Sequence, residues 1–339
     1  MKTTRIGVIG CGYWGPNYVR ILNEMNESKV ACCSDLEEKN LARIRKLYRS
    51  IRTMRDYRDI ARSPDVDAVI VTTPLESHYE ITKICLRNEK HVLVEKPFTA
   101  TLAQGRELVR IADKKRLCLM VGHVYEYHPG IVKLKELIKK RKLGILYYVH
   151  AERVGLGPIR RHANALWDLA THDIAISLFI LGEYPDSVSC VGGSYIQERV
   201  DDVVFLSLTF PSKVIYNIHT TWVAPEKIRK VTVVGSEGMA VFDDVNKSEM
   251  LKIYEREIDK GLIDSTPEYS DHLAIVSIGD IHIPRVALSE PLNNQVRHFI
   301  ECVTSGRKPL TDGRSGLRVL RILEAAERSI RAGRKVDCR

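Results

Sequence analysis

No run of about 18 apolar residues occurs in the chain, so no stretch of it is expected to span a bilayer as a helix. A charged-then-apolar leader is also missing, because the first residues run straight into an apolar strand pattern, and a cytoplasmic location is the expectation. Eight cysteines are present without one Cys-x-x-Cys pair, which argues for reduced thiols and against a structural zinc or other metal. Cys32 and Cys33 fall inside a strand-like run, where they read as small apolar residues. There is no internal repeat or low-complexity segment.

What is present is the composition of a soluble globular protein: 339 residues, 44% hydrophobic and 28% charged. That length suggests about two domains, each large enough to bury its own core. The net charge of +9 is spread over many segments, including Lys133 to Lys142 and Arg314 to Arg334. A solvated basic face accounts for most of it, and neither nucleic acid nor membrane is an expected partner.

The apolar run Ile6 to Ile9 leads into Gly10-Cys11-Gly12-Tyr13-Trp14-Gly15 and then a helical pattern at Tyr18, Val19, Ile21 and Leu22. In such a strand, glycine turn and helix, Gly10 makes the turn, Gly12 lets a pyrophosphate approach the backbone, and Gly15 lets helix and strand pack closely. The helix N-terminus then faces the phosphates. A second strand, Lys29 to Ser34, ends at Asp35, about 20 residues past Gly15, where a ribose-binding acid belongs. A carboxylate there repels a 2′-phosphate, which favours NAD over NADP; the competing reading makes Asp35 the cap of a helix starting near Leu36.

Strands at Ala68 to Val71, His91 to Val94 and Leu117 to Val121 alternate with helices over Tyr79 to Arg87 and Leu102 to Asp113, which calls for a doubly wound parallel sheet. Ligands of such sheets lie beyond the carboxyl ends of the strands, where Thr72, Thr73, Glu95, Lys96 and Gly122 fall. A dinucleotide-binding domain over 1–122 follows. Beyond it, a helix over Ile131 to Ile138, a strand from Ile145 to Arg153, a loop from Val154 to Asn164 and a helix from Leu166 to Leu181 closed by Gly182 precede a series of strands between Ser187 and Phe242. Residues Asp259 to Glu290 read as extended or loop, and helices over Leu292 to Thr304 and Gly316 to Ile330 finish the chain. This predicts an α+β domain over 123–339 with a large open, mainly antiparallel sheet, its last helices free to pack back on the first domain.

Lys96, past the end of a buried strand and fixed by Pro97, is placed to hydrogen-bond a substrate hydroxyl; a surface lysine is the bland alternative. Asp168 and His172 stand at i and i+4 of one helix, a carboxylate beside an imidazole, which suits proton transfer near neutral pH. A first-turn acid and a packed histidine would give the same letters. Arg153, Arg160 and Arg161 offer guanidinium forks to an anion, and His123 and Tyr125 offer rings near the domain junction.

Taken together, Gly10 to Asn17, Asp35, Thr72-Thr73-Pro74 with His78, Glu95-Lys96-Pro97 and Trp167 to Asp173 resemble the Gfo/Idh/MocA oxidoreductase family over nearly the whole chain. The resemblance implies a Rossmann domain, a nicotinamide cofactor, and oxidation or reduction of a sugar or polyol. It implies cofactor contacts from Gly10, Gly12, Tyr13, Trp14, Gly15, Asp35, Thr72, Thr73, Pro74, His78, Glu95 and Lys96. Lys96, Asp168 and His172 are the implied catalytic set, with His123, Tyr125, Arg153, Arg160, Arg161 and Asn164 added for the substrate. The glycine turn and the segment Arg153 to Asp173 look like the nucleotide-sugar branch, which implies a UDP-sugar substrate, oxidation of a 3-hydroxyl, and a link to a PLP-dependent aminotransferase. Glu126-Tyr127 departs from the Arg-Phe pair of many members. A free sugar or inositol as substrate, or a non-catalytic dinucleotide sensor, are the alternatives. Pairing of two subunits through the large sheet, as a homodimer or within a homotetramer, is expected to cover its apolar face.

Overall fold

A computed structural model describes residues 3–157, 159, 163–259 and 275–338. The chain separates into two compact units, Met1–Tyr127 with Ser289–Glu324, and His128–Leu288 with Ala325–Arg339. The expectation was 1–122 and 123–339 with the last helices free to pack back on the first domain; the first boundary falls at Tyr127/His128, and Ser289–Glu324 counts with the first unit.

In the first unit, strands β1 (Thr4–Ile9), β2 (Ser28–Ser34), β3 (Arg52–Met54), β4 (Ala68–Val71), β5 (His91–Val94) and β6 (Leu119–Val121) pair in the order β3-β2-β1-β4-β5-β6, every pair parallel. Helices α1 (Gly15–Glu24), α2 (Glu38–Leu47), α3 (Tyr57–Arg62), α4 (Leu75–Arg87) and α5 (Leu102–Lys115) make the crossovers. A parallel sheet is covered on both faces, which is why β4 and, after His91, β5 read as apolar runs and why all four residues of β4 are buried. Helix α1 places Pro16 in its first turn, where no amide proton is needed, and buries Tyr18, Val19, Ile21 and Leu22. The strand order reverses between β1 and β4, and the glycine turn stands at that point. Strand β3 and helix α3 have no counterpart in the sequence analysis: β3 is three residues long and α3 six, too short for a hydrophobic period to show.

The second unit opens with α6 (Pro129–Lys139), started by His128, whose Nδ1 accepts from Gly130 N at 3.1 Å. Strand β7 (Leu146–Leu156) leads to a π-helical turn, Leu166–Ala170, which continues as α7 (Thr171–Leu181) and ends at Gly182 with φ +70°. Strands β8 (Ser187–Gly193), β9 (Val203–Thr209), β10 (Ile215–Thr221), β11 (Val223–Gly235), β12 (Gly238–Asp243), β13 (Leu251–Asp259) and β14 (Ile275–His282) follow. The chain then returns to the first unit through α8 (Pro291–Ser305) and the start of α9 (Gly313–Ala332), and ends in β15 (Val336–Asp337). The nine-stranded sheet runs β14-β13-β12-β11-β7-β10-β9-β8-β15, antiparallel except where β10 meets β7. Helix α7 is apolar on nearly every side and is correspondingly buried from Ile174 to Ile180. The stretch expected to be extended or loop from Asp259 holds β14, and its residues 260–274 lie outside those described.

Two glycines of the turn separate packing from function. A methyl group on Gly15 would strike the carbonyl oxygen of Gly10, whereas one on Gly12 would meet no atom within 4 Å. Gly15→Ala is therefore expected to cost about 1–3 kcal/mol in urea unfolding, and Gly12→Ala to leave stability within about 0.5 kcal/mol of the parent. Equal stabilities for the two variants would contradict this geometry.

Candidate active site

The glycine turn is held from three directions. Gly10 adopts φ +94°, and a side chain there would press on Thr72 at 2.9 Å, so the position needs glycine. Thr72 Oγ1 donates to Gly10 O at 2.6 Å, which ties the turn to the end of β4. Asp35 accepts from Cys11 N through Oδ2 at 2.6 Å and from Glu37 N through Oδ1 at 2.8 Å. Helix α2 takes Glu37 as its cap, so Asp35 stands against the glycine turn and does not cap that helix. Arg43, exposed on α2 and unremarked in the sequence analysis, donates to Cys11 O at 2.8 Å and Gly12 O at 2.6 Å. Tyr13 and Trp14 are exposed and meet edge to face at 5.6 Å. With Gly12 open on its Cβ side, the turn has the cradle a dinucleotide pyrophosphate requires.

Thr73 and Pro74 lead into α4, where Ser77 Oγ contacts Thr73 Oγ1 at 2.8 Å and donates to Pro74 O at 2.7 Å. His78 is fully buried, and its ring nitrogens lie 2.8 Å from Pro97 O and 2.7 Å from Thr73 O. Burial pulls its pKa below the ordinary imidazole value, against the pull of those carbonyls. The ring thus lies between the two loops that carry Thr73 and Pro97.

At the end of β5 the carboxylate of Glu95 is enclosed. Tyr18 Oη donates to Glu95 Oε1 at 2.7 Å, and the Lys96 amide donates to Oε2 at 3.0 Å. Gly122 closes the other side, where a Cβ would come within 2.9 Å of Oε2. Burial raises the Glu95 pKa, opposed by Tyr18, the Lys96 amide and the Lys96 charge. Lys96 joins Pro97 through a cis bond. His123 is 2% exposed, and neither ring nitrogen has a hydrogen-bond partner. Burial first, and the Lys96 charge second, lower its pKa to about 3, so the imidazole is neutral. A buried ring with two unsatisfied nitrogens beside an ammonium is costly in the free protein and suits a polar ligand. Tyr125 is partly buried in the short helix Val124–Tyr127, and Tyr127 is core, its hydroxyl 3.3 Å from Thr311 Oγ1.

In the second unit Asp168 lies in the π turn and His172 in the first turn of α7, both partly buried. The pair therefore straddles a change of winding, where a single α-helix from Leu166 was expected; such π turns recur at functional sites. Asn164 starts the segment, its Oδ1 accepting from Trp167 N at 3.0 Å and its carbonyl from Asp168 N at 3.1 Å. Its role here is to hold the helical turn. Arg153 is buried with its fork on Asp173, Nε to Oδ2 at 2.7 Å and Nη2 to Oδ1 at 3.0 Å. The expected phosphate-binding fork is thus already matched by a carboxylate, which anchors the residue next to His172 to the sheet. Arg160 and Arg161 lie outside the described residues. The eight cysteines are buried free thiols, and no described helix is long and apolar enough to cross a membrane.

Comparison with known proteins supports the fold. Residues 4–123 match the family described as "Oxidoreductase family, NAD-binding Rossmann fold", and residues 131–241 match "GFO/IDH/MocA C-terminal domain". The UDP-N-acetylglucosamine 3-dehydrogenase of Acidithiobacillus ferrooxidans is 25% identical over 93% of this chain and 94% of its own. The myo-inositol 2-dehydrogenase of Thermotoga maritima is 24% identical over 98% of each chain. The solved structure of the Acidithiobacillus enzyme superposes with a TM-score of 0.80 over 98% of this chain and 99% of that one, at 23% identity. The shared fold is the parallel six-stranded sheet followed by the large, mostly antiparallel one.

The His123 ring has a sign that can be checked. Its neutral form is favoured in the folded state, so that contribution is complete above the ordinary value of 6.5 and is lost as pH falls toward about 3. His123→Leu removes the titration. The stability of the variant relative to the parent, from urea unfolding, is expected to rise steadily as pH drops through that window; a constant difference would contradict the burial of the ring.

Proposed function

This chain belongs to the Gfo/Idh/MocA family of NAD(P)-dependent oxidoreductases, and we propose that it oxidises C3 of a UDP-N-acetylhexosamine, or of its uronic acid, to a ketone. The observation that carries a polar substrate at the end of β5 is His123, buried beside Lys96 with both nitrogens unsatisfied. The nucleotide sugar is supported by the 3-dehydrogenase among the relatives and by the charges of Arg160 and Arg161, which suit a diphosphate. A bound nicotinamide supplies the hydride acceptor. Gly10, Gly12 and Gly15 hold its pyrophosphate, Asp35 takes the ribose hydroxyls and so favours NAD over NADP, and Tyr13 and Trp14 offer their faces to the nucleotide. Lys96 hydrogen-bonds the reacting oxygen, His172 accepts its proton, and Asp168 orients the imidazole. Lys96 as proton acceptor is the competing assignment. The 3-keto product is a substrate for a PLP-dependent aminotransferase, which places the reaction in cytoplasmic nucleotide-sugar and surface polysaccharide synthesis.

An inositol or free-sugar substrate is the second reading, favoured by the inositol dehydrogenase at nearly the same identity. Incubation with NAD and a panel of UDP-sugars, free hexoses and inositols, followed by absorbance of the reduced cofactor, separates the two. UDP-N-acetylglucosamine or its uronic acid is expected to react, with Arg160→Ala and Arg161→Ala raising KM. Reaction of inositol alone, with KM unmoved in those variants, would sink the nucleotide-sugar reading. Lys96→Ala and His172→Ala are each expected to lower kcat about 10²–10⁴-fold while sparing NAD affinity.

The sheet of the second unit leaves Tyr148, Val191, Phe205 and Ile215 exposed, with Phe205 stacked on His219 at 4.2 Å. A second copy is the proposed cover for that face, in a homodimer or within a homotetramer. Light scattering at micromolar concentration is expected to give at least the dimer mass, and a monomer mass would contradict it.

A further inference from the structure

We propose that Tyr18 and Gln295 are positioning residues for Lys96, acting through Glu95. The inference rests on the reading of Lys96 as the group that holds the reacting oxygen. Tyr18 comes from α1, Glu95 from the end of β5 and Gln295 from α8, so three distant parts of the sequence meet in one chain of hydrogen bonds, in which Tyr18 and Gln295 are buried and Glu95 is partly so. Tyr18 has a single hydroxyl proton, and at 2.7 Å from Glu95 Oε1 that proton belongs to the carboxylate.

Gln295 Oε1 lies 3.3 Å from the same hydroxyl oxygen, while its own Nε2 is buried without a partner. Two acceptors cannot share one proton at full strength. Turning the amide over resolves both difficulties: Nε2 donates to Tyr18 Oη, and no donor is left orphaned. The chain then runs in one direction, from the Gln295 amide to Tyr18, from Tyr18 to Glu95 Oε1, with Glu95 Oε2 accepting from the Lys96 backbone amide at 3.0 Å.

What the chain does is favour the ionised form of Glu95. Burial works against the charge of Glu95, and the Tyr18 donor opposes that effect. The groups that face this carboxylate are Tyr18 from α1, the Lys96 amide and side chain, the bare Cα of Gly122, and through Lys96 the neutral ring of His123. Gln295 reaches it only through Tyr18. Ionised Glu95 fixes the first atom of Lys96 and gives its ammonium a counter-charge. A protonated Glu95 gives up the counter-charge.

Difference infrared titration of the full-length, unligated protein reads the Glu95 carboxyl directly, with the band assigned by Glu95→Gln. Tyr18→Phe keeps the ring and deletes one oxygen. It is expected to move the Glu95 titration to higher pH by about one unit, roughly the worth of one charge-assisted hydrogen bond. Gln295→Leu is expected to move it the same way by less. With NAD and UDP-N-acetylglucosamine as probe, the acid limb of kcat/KM should move with the infrared titration, and Tyr18→Phe should add nothing in a Glu95→Gln background. A Tyr18→Phe protein with a lower melting temperature but an unmoved Glu95 titration would overturn the proposal, because a merely structural phenol predicts that pair of results. Full turnover in Lys96→Ala would overturn the functional reading itself. An inactive Lys96→Ala beside an unmoved titration would overturn the relay alone.

Discussion

In the first unit, three distant parts of the sequence meet at one partly buried carboxylate. A carboxylate at the end of an interior strand is unfavourable unless its oxygens are matched, and Glu95 is matched on one oxygen by Tyr18 and on the other by the amide of the residue that follows it. Each match makes demands elsewhere. Tyr18 must be carried to the strand end by α1, which needs the glycine turn to deliver that helix at the switch in strand order. Gly122 must lack a side chain, and α8 must return from the far end of the chain to bring Gln295 beside the phenol. The cofactor cradle, the strand that carries Lys96 and the C-terminal helix are thus bound to one electrostatic requirement.

The second unit solves a similar problem with a different pair. Arg153 and Asp173 are both buried and meet through two hydrogen bonds, so the strand β7 and the helix bearing His172 are held in register. The π turn before α7 changes the winding between Asp168 and His172, and Asn164 holds its start. Fixed placement of the segment that carries Asp168 and His172 is the result.

Features legible in the sequence were those with a local period or a backbone requirement. The glycine turn, the apolar strands β1, β4 and β5 and the position of Asp35 follow from residues close together in the chain. Strand β3 and helix α3 were not legible because a three-residue edge strand carries no pattern. Arg153 was misread as a free fork, since the carboxylate that takes it stands on another element and nothing local announces the pairing. For the same reason nothing local marks Tyr18 or Gln295, which stand on separate helices. The ring of His78 lies against the backbone of two loops, a contact that only the third dimension shows. Local rules find the strands and the turn; long-range pairing of buried polar groups decides which side chains are spoken for.

The reaction proposed for this chain is hydride removal from a sugar carbon bearing a hydroxyl. Incubation of the protein with NAD and UDP-N-acetylglucosamine deuterated at C3, followed by mass measurement of the reduced cofactor, reads that step. The reduced nicotinamide is expected to carry the deuterium. Reduced cofactor without deuterium would contradict it.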